Sequence, residues 1–202
     1  MKRIHFVFFV ALLATQHTVR GQGTLTITFD GPPAPNGDSV VSSYVESGMY
    51  FGSQLNGFER FDPGFLPGFP DNGTAYVGGV GHDGYNNVYG DFIDGSTFGV
   101  ESIDLAAFGG SSTTISAVFE GWLSNGTFLT EAVSGTGTDF RTVNFGPEWS
   151  SGLTLFGIKN DNSSPDGWSV DNLVVIVPEP TSSTLLLVGG IVGLVFRKLK
   201  RR

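Results

Sequence analysis

An all-β fold, an antiparallel β-sandwich or jelly roll, is what this sequence predicts, and three observations carry the prediction. Short apolar stretches are parted by eight Asp-Gly or Asn-Gly pairs, among them Asn36-Gly37, Asn125-Gly126 and Asp166-Gly167. Such pairs supply the positive φ that tight turns need. Several of the stretches alternate apolar and polar residues, the period of a half-buried strand. Between Gln22 and Thr184 no apolar period of 3.6 residues is sustained, so little of the domain is expected to be helical.

Taken in order, Leu25, Ile27 and Phe29 share one face of a strand at 24–29, and further strands are expected at 48–52, 74–77 and 98–108. Segment 113–123 puts Ile115, Ala117, Phe119 and Gly121 on one face, then passes through Ser124-Asn125-Gly126-Thr127 into a strand at 128–133. That is the clearest hairpin signal in the chain. Segments 141–145, 153–158 and 168–177 bring the number of expected strands to nine, a count that suits a sandwich or jelly roll. The stretch 61–72 is rich in Pro and Gly, with Phe61, Phe65 and Phe69 interleaved, and reads as a long loop. Two roles are open to its rings: stacking on a sugar as a ligand-binding loop, or covering an open end of the sandwich.

The two ends of the 202-residue chain read as targeting segments. Lys2 and Arg3 precede the apolar run Phe6 to Ala14, and Val19-Arg20-Gly21 offers a cleavage site before Gln22. This is the pattern of a secretory signal peptide over 1–21. A single domain over 22–176 is the expected remainder. Between Gln22 and Pro180 the only bases are Arg60, Arg141 and Lys159 against all nineteen acids, a net charge of −16. A surface of that sign repels nucleic-acid phosphates and favours cations or neutral partners.

Residue counts narrow the chemistry. The chain has no cysteine, which removes disulfides, thiolate metal sites and cysteine nucleophiles together. His5 and His17 belong to the signal segment, leaving His82 alone, so a site needing two histidines is excluded within one exported chain. No G-x-S-x-G elbow accompanies His82, which argues against a serine hydrolase. Acids such as Asp91 and Asp94, or Glu101 and Asp104, could serve a glycosidase, although nineteen acids make some such pairing inevitable. Calcium is the metal that this oxygen-rich composition suits. Asp30, at the end of the first strand, and Asp171, in the last, are its candidate ligands. On a regular strand Asp171 would share the apolar face of Leu173, Val175 and Val177. There a carboxylate needs a partner, either a metal or donors from a neighbouring loop.

The C-terminal end carries the most specific pattern. Val177-Pro178-Glu179-Pro180 precedes an apolar run, Leu185 to Phe196, and the basic end Arg197-Lys198-Leu199-Lys200-Arg201-Arg202. As a helix the run with its flank to Ser182 would extend about 22 Å, short for a hydrocarbon core of about 30 Å, and the cations would set Arg202 on the cytoplasmic side. This arrangement over 177–202 resembles the PEP-CTERM protein-sorting signal. The resemblance implies recognition at Pro178, Glu179 and Pro180 by an exosortase in the inner membrane of a Gram-negative bacterium. It also implies removal of the short transmembrane helix and delivery to the cell surface or extracellular polysaccharide. Trp168-Ser169-Val170-Asp171-Asn172-Leu173-Val174-Val175 is similar to the final strand often seen in β-sandwich domains that carry this signal. The reading that follows is a non-catalytic surface or matrix protein touching polysaccharide through its aromatic loop. Its competitor is a secreted, carboxylate-dependent glycoside hydrolase.

Overall fold

A computed structural model describes residues 22–31, 37–53, 57–79, 87–160 and 167–178. The signal segment, His82, and Glu179, Pro180 and all that follows them lie outside the described residues. No helix among the described residues is long and apolar enough to cross a membrane.

Residues Thr24–Val177 form one compact unit built of two β-sheets. The strands are β1 (Gln22–Ile27), β2 (Asp38–Val41), β3 (Ser43–Glu46), β4 (Met49–Gly52), β5 (Phe58–Phe61), β6 (Tyr76–Gly79) and β7 (Val88–Phe92). They continue with β8 (Gly99–Ala107), β9 (Thr114–Leu123), β10 (Phe128–Thr136), β11 (Arg141–Asn144), β12 (Leu153–Lys159) and β13 (Trp168–Pro178). A 3₁₀ turn at Pro147–Trp149 is the one helical element among the described residues. One sheet runs β11-β8-β13-β6-β5-β2, with β1 also paired to β13; the other runs β10-β9-β12-β7-β4-β3. The ladders among β2 to β13 are antiparallel. Ile27, Val77, Leu105 and Trp168 from the first sheet meet Phe51, Phe119, Phe156 and Ile158 from the second in one buried cluster, so the all-β sandwich expected from the sequence is what forms.

All nine expected strands are present, and the hairpin is where its signal lay. Gly126 takes φ +85°, Leu123 N–H donates to the Thr127 carbonyl at 2.9 Å, and Trp122 faces Phe128 across the ladder. Four strands had no clear signal: β2, β3, β5 and β7. In β7 the reason is Gly90, which breaks the apolar alternation yet sits where a Cβ would come within 2.6 Å of the Phe51 ring. The missing side chain is the room that Phe51 occupies. Phe61, expected to open a loop, instead closes β5.

The last strand departs from regularity at one point that matters below. Pairing of β13 with β8 slips between Asp171 and Val174, and Asn172 adopts φ +46°, so a β-bulge changes the phase of the side chains. Trp168 and Val170 before the slip, and Leu173 and Val175 after it, all enter the core. Asp171 therefore does not share the apolar face of Leu173, which corrects the regular-strand expectation. It points to the opposite side of the sheet.

Candidate functional site

The outer face of the six-stranded sheet gathers aromatic side chains that the core does not use. On β9 the residues alternating with Ile115, Ala117 and Phe119 include Val118, Glu120 and Trp122, which turn outward. Trp122 lies 4.8 Å from Phe128 of β10 and 5.7 Å from Tyr89 of β7, ring centroid to ring centroid. Tyr50 of β4 and Val45 of β3 continue the face, paired in register. Phe128, Tyr50 and Val45 are 48%, 42% and 54% exposed, an unusual exposure for three large apolar groups on one sheet face.

Two glycines let the rings settle against the sheet. A Cβ on Gly157 would come within 2.5 Å of the Tyr89 ring and 3.6 Å of Trp122, and one on Gly52 within 2.9 Å of Tyr50. Gly157 faces Tyr89 on one side and Glu120 on the other, so the strand between the two rings contributes no side chain in that row.

A polar network runs beside the rings. Glu120 is 5% exposed and is held by an ion pair with Lys159, which supplies the partner a buried carboxylate requires. The Tyr89 hydroxyl accepts from Asn87 Nδ2 at 3.0 Å and lies 3.5 Å from Glu120 Oε2. Burial, and then the Glu120 charge, raise the Tyr89 pKa, so the hydroxyl keeps its proton and remains a donor at neutral pH. The face thus offers apolar ring surfaces flanked by a carboxylate, an ammonium, an amide and a phenol. These are the donors and acceptors that meet hydroxyl groups.

The residues singled out from sequence sit elsewhere. Phe61 stacks on Tyr76 at 5.1 Å and touches Phe65 at 5.1 Å, Phe69 at 5.8 Å and Phe108 at 5.5 Å. Phe61 is only 1% exposed, while Phe65 and Phe69 are half-buried against it. The three rings come together as a small second core on the seven-stranded sheet, on the side turned away from the main one. Phe61 therefore has no free ring face for a ligand. The packing seen is ring on ring over the outer face of the seven-stranded sheet, with Phe65 and Phe69 partly buried.

Asp171 is fully buried on that same side, and the loop between β5 and β6 supplies its donors. Asn72 Nδ2 and Thr74 Oγ1 each donate to Oδ2 at 2.7 Å, and Asn172 N–H donates to Oδ1 at 2.7 Å. Asp30 lies near enough for its charge to act on Asp171, and its own Oδ1 accepts from Ala75 N–H at 3.3 Å. Among the described residues no three His, Cys, Asp or Glu side chains gather.

Burial is the largest cause raising the Asp171 pKa, followed by hydrogen bonds that partly offset it. The sign of the linkage follows. A carboxyl raised on folding destabilises the folded chain fully above its folded pKa, and that cost disappears as pH falls towards the unfolded value. The stability of wild type relative to Asp171→Asn should therefore rise as pH is lowered from neutral through the range just above ordinary carboxylates. Paired denaturant melts across that range check it; a difference that stays flat or falls with acid would show the carboxylate is not penalised.

The sequence signal for the aromatic face was present but easily passed over. Trp122 ends the polar side of a strand whose apolar side, Ile115 to Gly121, draws the eye. Tyr89 and Tyr50 belong to short strands, β7 interrupted by Gly90 and β4 ended by Gly52.

No protein-family model matches this chain, and no curated protein matches it in sequence. Among solved structures, the CBM22-1 xylan-binding domain of Paenibacillus barcinonensis Xyn10C is similar at 11% identity, over 80% of this chain and 99% of that one, with a TM-score of 0.41. The family 11 carbohydrate-binding module from Clostridium thermocellum is similar at 12% identity over 76% of this chain and 95% of that one, with a TM-score of 0.36. Clostridium thermocellum Xyn10B, in its CBM22-1 and GH10 modules complexed with xylohexaose, is similar at 12% identity and a TM-score of 0.38. There 75% of this chain is covered, and the chain spans 28% of that one.

Proposed function

We propose that this chain is an exported, non-catalytic surface or matrix protein that holds polysaccharide on the outer face of its six-stranded sheet. The observation that carries the binding half is the row Phe128, Trp122 and Tyr89, with ring centroids 4.8 and 5.7 Å apart, beside the Glu120–Lys159 pair. Sugar rings present apolar C–H faces that stack on aromatic side chains, and their hydroxyls match the flanking polar groups. The export half is supported by sequence: the signal-like start, the Pro178-Glu179-Pro180 motif and the basic end. On that reading an exosortase recognises the motif, the C-terminal helix holds the chain in the inner membrane until processing, and the product reaches the cell surface.

The hydrolase reading keeps one observation in its favour. Asp91, two residues from Tyr89 on β7, shares the face with Glu120. Glu120, however, is committed to an ion pair with Lys159, whereas a hydrolase needs one of its two carboxyl groups free to act as the acid. A glycan array combined with a reducing-sugar assay tests both readings. Retention on the array without release of reducing ends is expected. Turnover would favour the hydrolase, and neither retention nor turnover would remove both.

A further inference from the structure

The direction of the aromatic row and the fate of every base in the domain together narrow the ligand further. We infer that this face takes an uncharged, extended glycan chain lying across the strands, an inference that rests on the polysaccharide reading above. The rings sit on different strands: Phe128 on β10, Trp122 on β9, Tyr89 on β7 and Tyr50 on β4, in a sheet ordered β10-β9-β12-β7-β4. No strand carries two rings on this face, so the row crosses the strands. Four strand steps at about 4.8 Å each make a track of about 19 Å. On β12, where a side chain would interrupt the track, Gly157 stands between Tyr89 and Trp122.

Charge decides the class of chain. Of the three bases between Gln22 and Pro180, two are ion-paired and the third is hydrogen-bonded to a carbonyl. Arg60 is bound to Asp62 and to the carbonyls of Phe29 and Gly31, Lys159 to Glu120, and Arg141 Nη2 to the Ser134 carbonyl at 2.8 Å. Asp91 adds a further acid to the face, and the whole stretch carries −16. A uronate or sulfated polysaccharide would meet repulsion on a face whose own cation, Lys159, is already paired with Glu120, whereas neutral hydroxyls can bridge Glu120, Lys159 and Asn87.

The test is calorimetric titration of the full-length protein with neutral gluco- and manno-oligosaccharides from disaccharide to hexasaccharide, with alginate oligosaccharides as the anionic series. Affinity for a neutral series should climb with length until the track is filled and then level off. It should change little with salt, and the alginate series should not bind. Trp122→Ala and Phe128→Ala should each weaken the longest neutral ligand by at least about tenfold. Preferential, salt-sensitive binding of alginate, or a disaccharide as tight as a hexasaccharide, would overturn this inference and leave polysaccharide binding standing. Binding of no glycan at all would remove the polysaccharide reading itself. Concentration-dependent dimerisation lost in Trp122→Ala would assign the face to a second copy of the chain instead.

Discussion

Trp122→Ala is expected to abolish retention on polysaccharide while leaving the fold nearly intact. An aromatic anchor at the centre of a binding surface contributes on the order of 2 kcal/mol or more, which is about 30-fold in affinity. Trp122 holds that central place, touching Phe128 on one side and Tyr89 on the other. Its side chain faces away from the core, so its removal leaves the buried cluster of Phe119, Phe156 and Trp149 undisturbed. Phe61→Ala should do the reverse, because Phe61 is buried among Tyr76, Phe65, Phe69 and Phe108. Losing such a ring costs about 3–5 kcal/mol, and retention per folded molecule should be unchanged. Affinity electrophoresis in gels containing polysaccharide, run beside thermal melts, separates the two effects. If Phe65→Ala or Phe69→Ala lost retention and Trp122→Ala did not, the binding surface would belong to the β5–β6 loop.

That contrast shows what a linear reading of aromatic residues reaches. Phe61, Phe65 and Phe69 stand out because they cluster in sequence among Pro and Gly, and for that reason they find one another in space. Phe128, Trp122, Tyr89 and Tyr50 are spread over nearly eighty residues, and only the strand order of the sheet makes them neighbours. Turn chemistry was local and legible: Asn125-Gly126 placed the β9–β10 hairpin, because Gly126 takes the positive φ the turn demands. Strand phase was legible only where the strand is regular. Asp171 was set on the wrong side because the bulge at Asn172 has no sequence mark beyond an Asn that tolerates the left-handed region. The same bulge places Asp171 against Asn72 and Thr74, two residues about a hundred positions away that no spacing rule could have linked to it.

Trp168→Ala should be among the most damaging single changes in the domain, and Trp168→Phe far milder. Trp168 is fully buried at the start of β13, and its register partners on the two flanking strands are small, Gly79 on β6 and Ala107 on β8. Small partners on both flanking strands make room for the indole and offer no side chain to fill the space it leaves. A cavity that the strand partners cannot fill puts the loss within the usual range for Trp to Ala, about 3–5 kcal/mol. In a domain of this size each kcal/mol moves the melting temperature by about 2–4 °C, so a fall of roughly 10 °C or more is expected. Phenylalanine changes the balance for a separate reason. The indole N–H of Trp168 is buried with no hydrogen-bond partner among the described residues, and an unsatisfied buried donor costs about 1–3 kcal/mol. Trp168→Phe removes that donor along with part of the ring, so the lost packing is partly offset. Calorimetric melts of the two variants decide it: Phe should retain most of the wild-type melting temperature. A fall as deep as that of Ala would mean that the N–H contributes through a bond to a group outside the described residues.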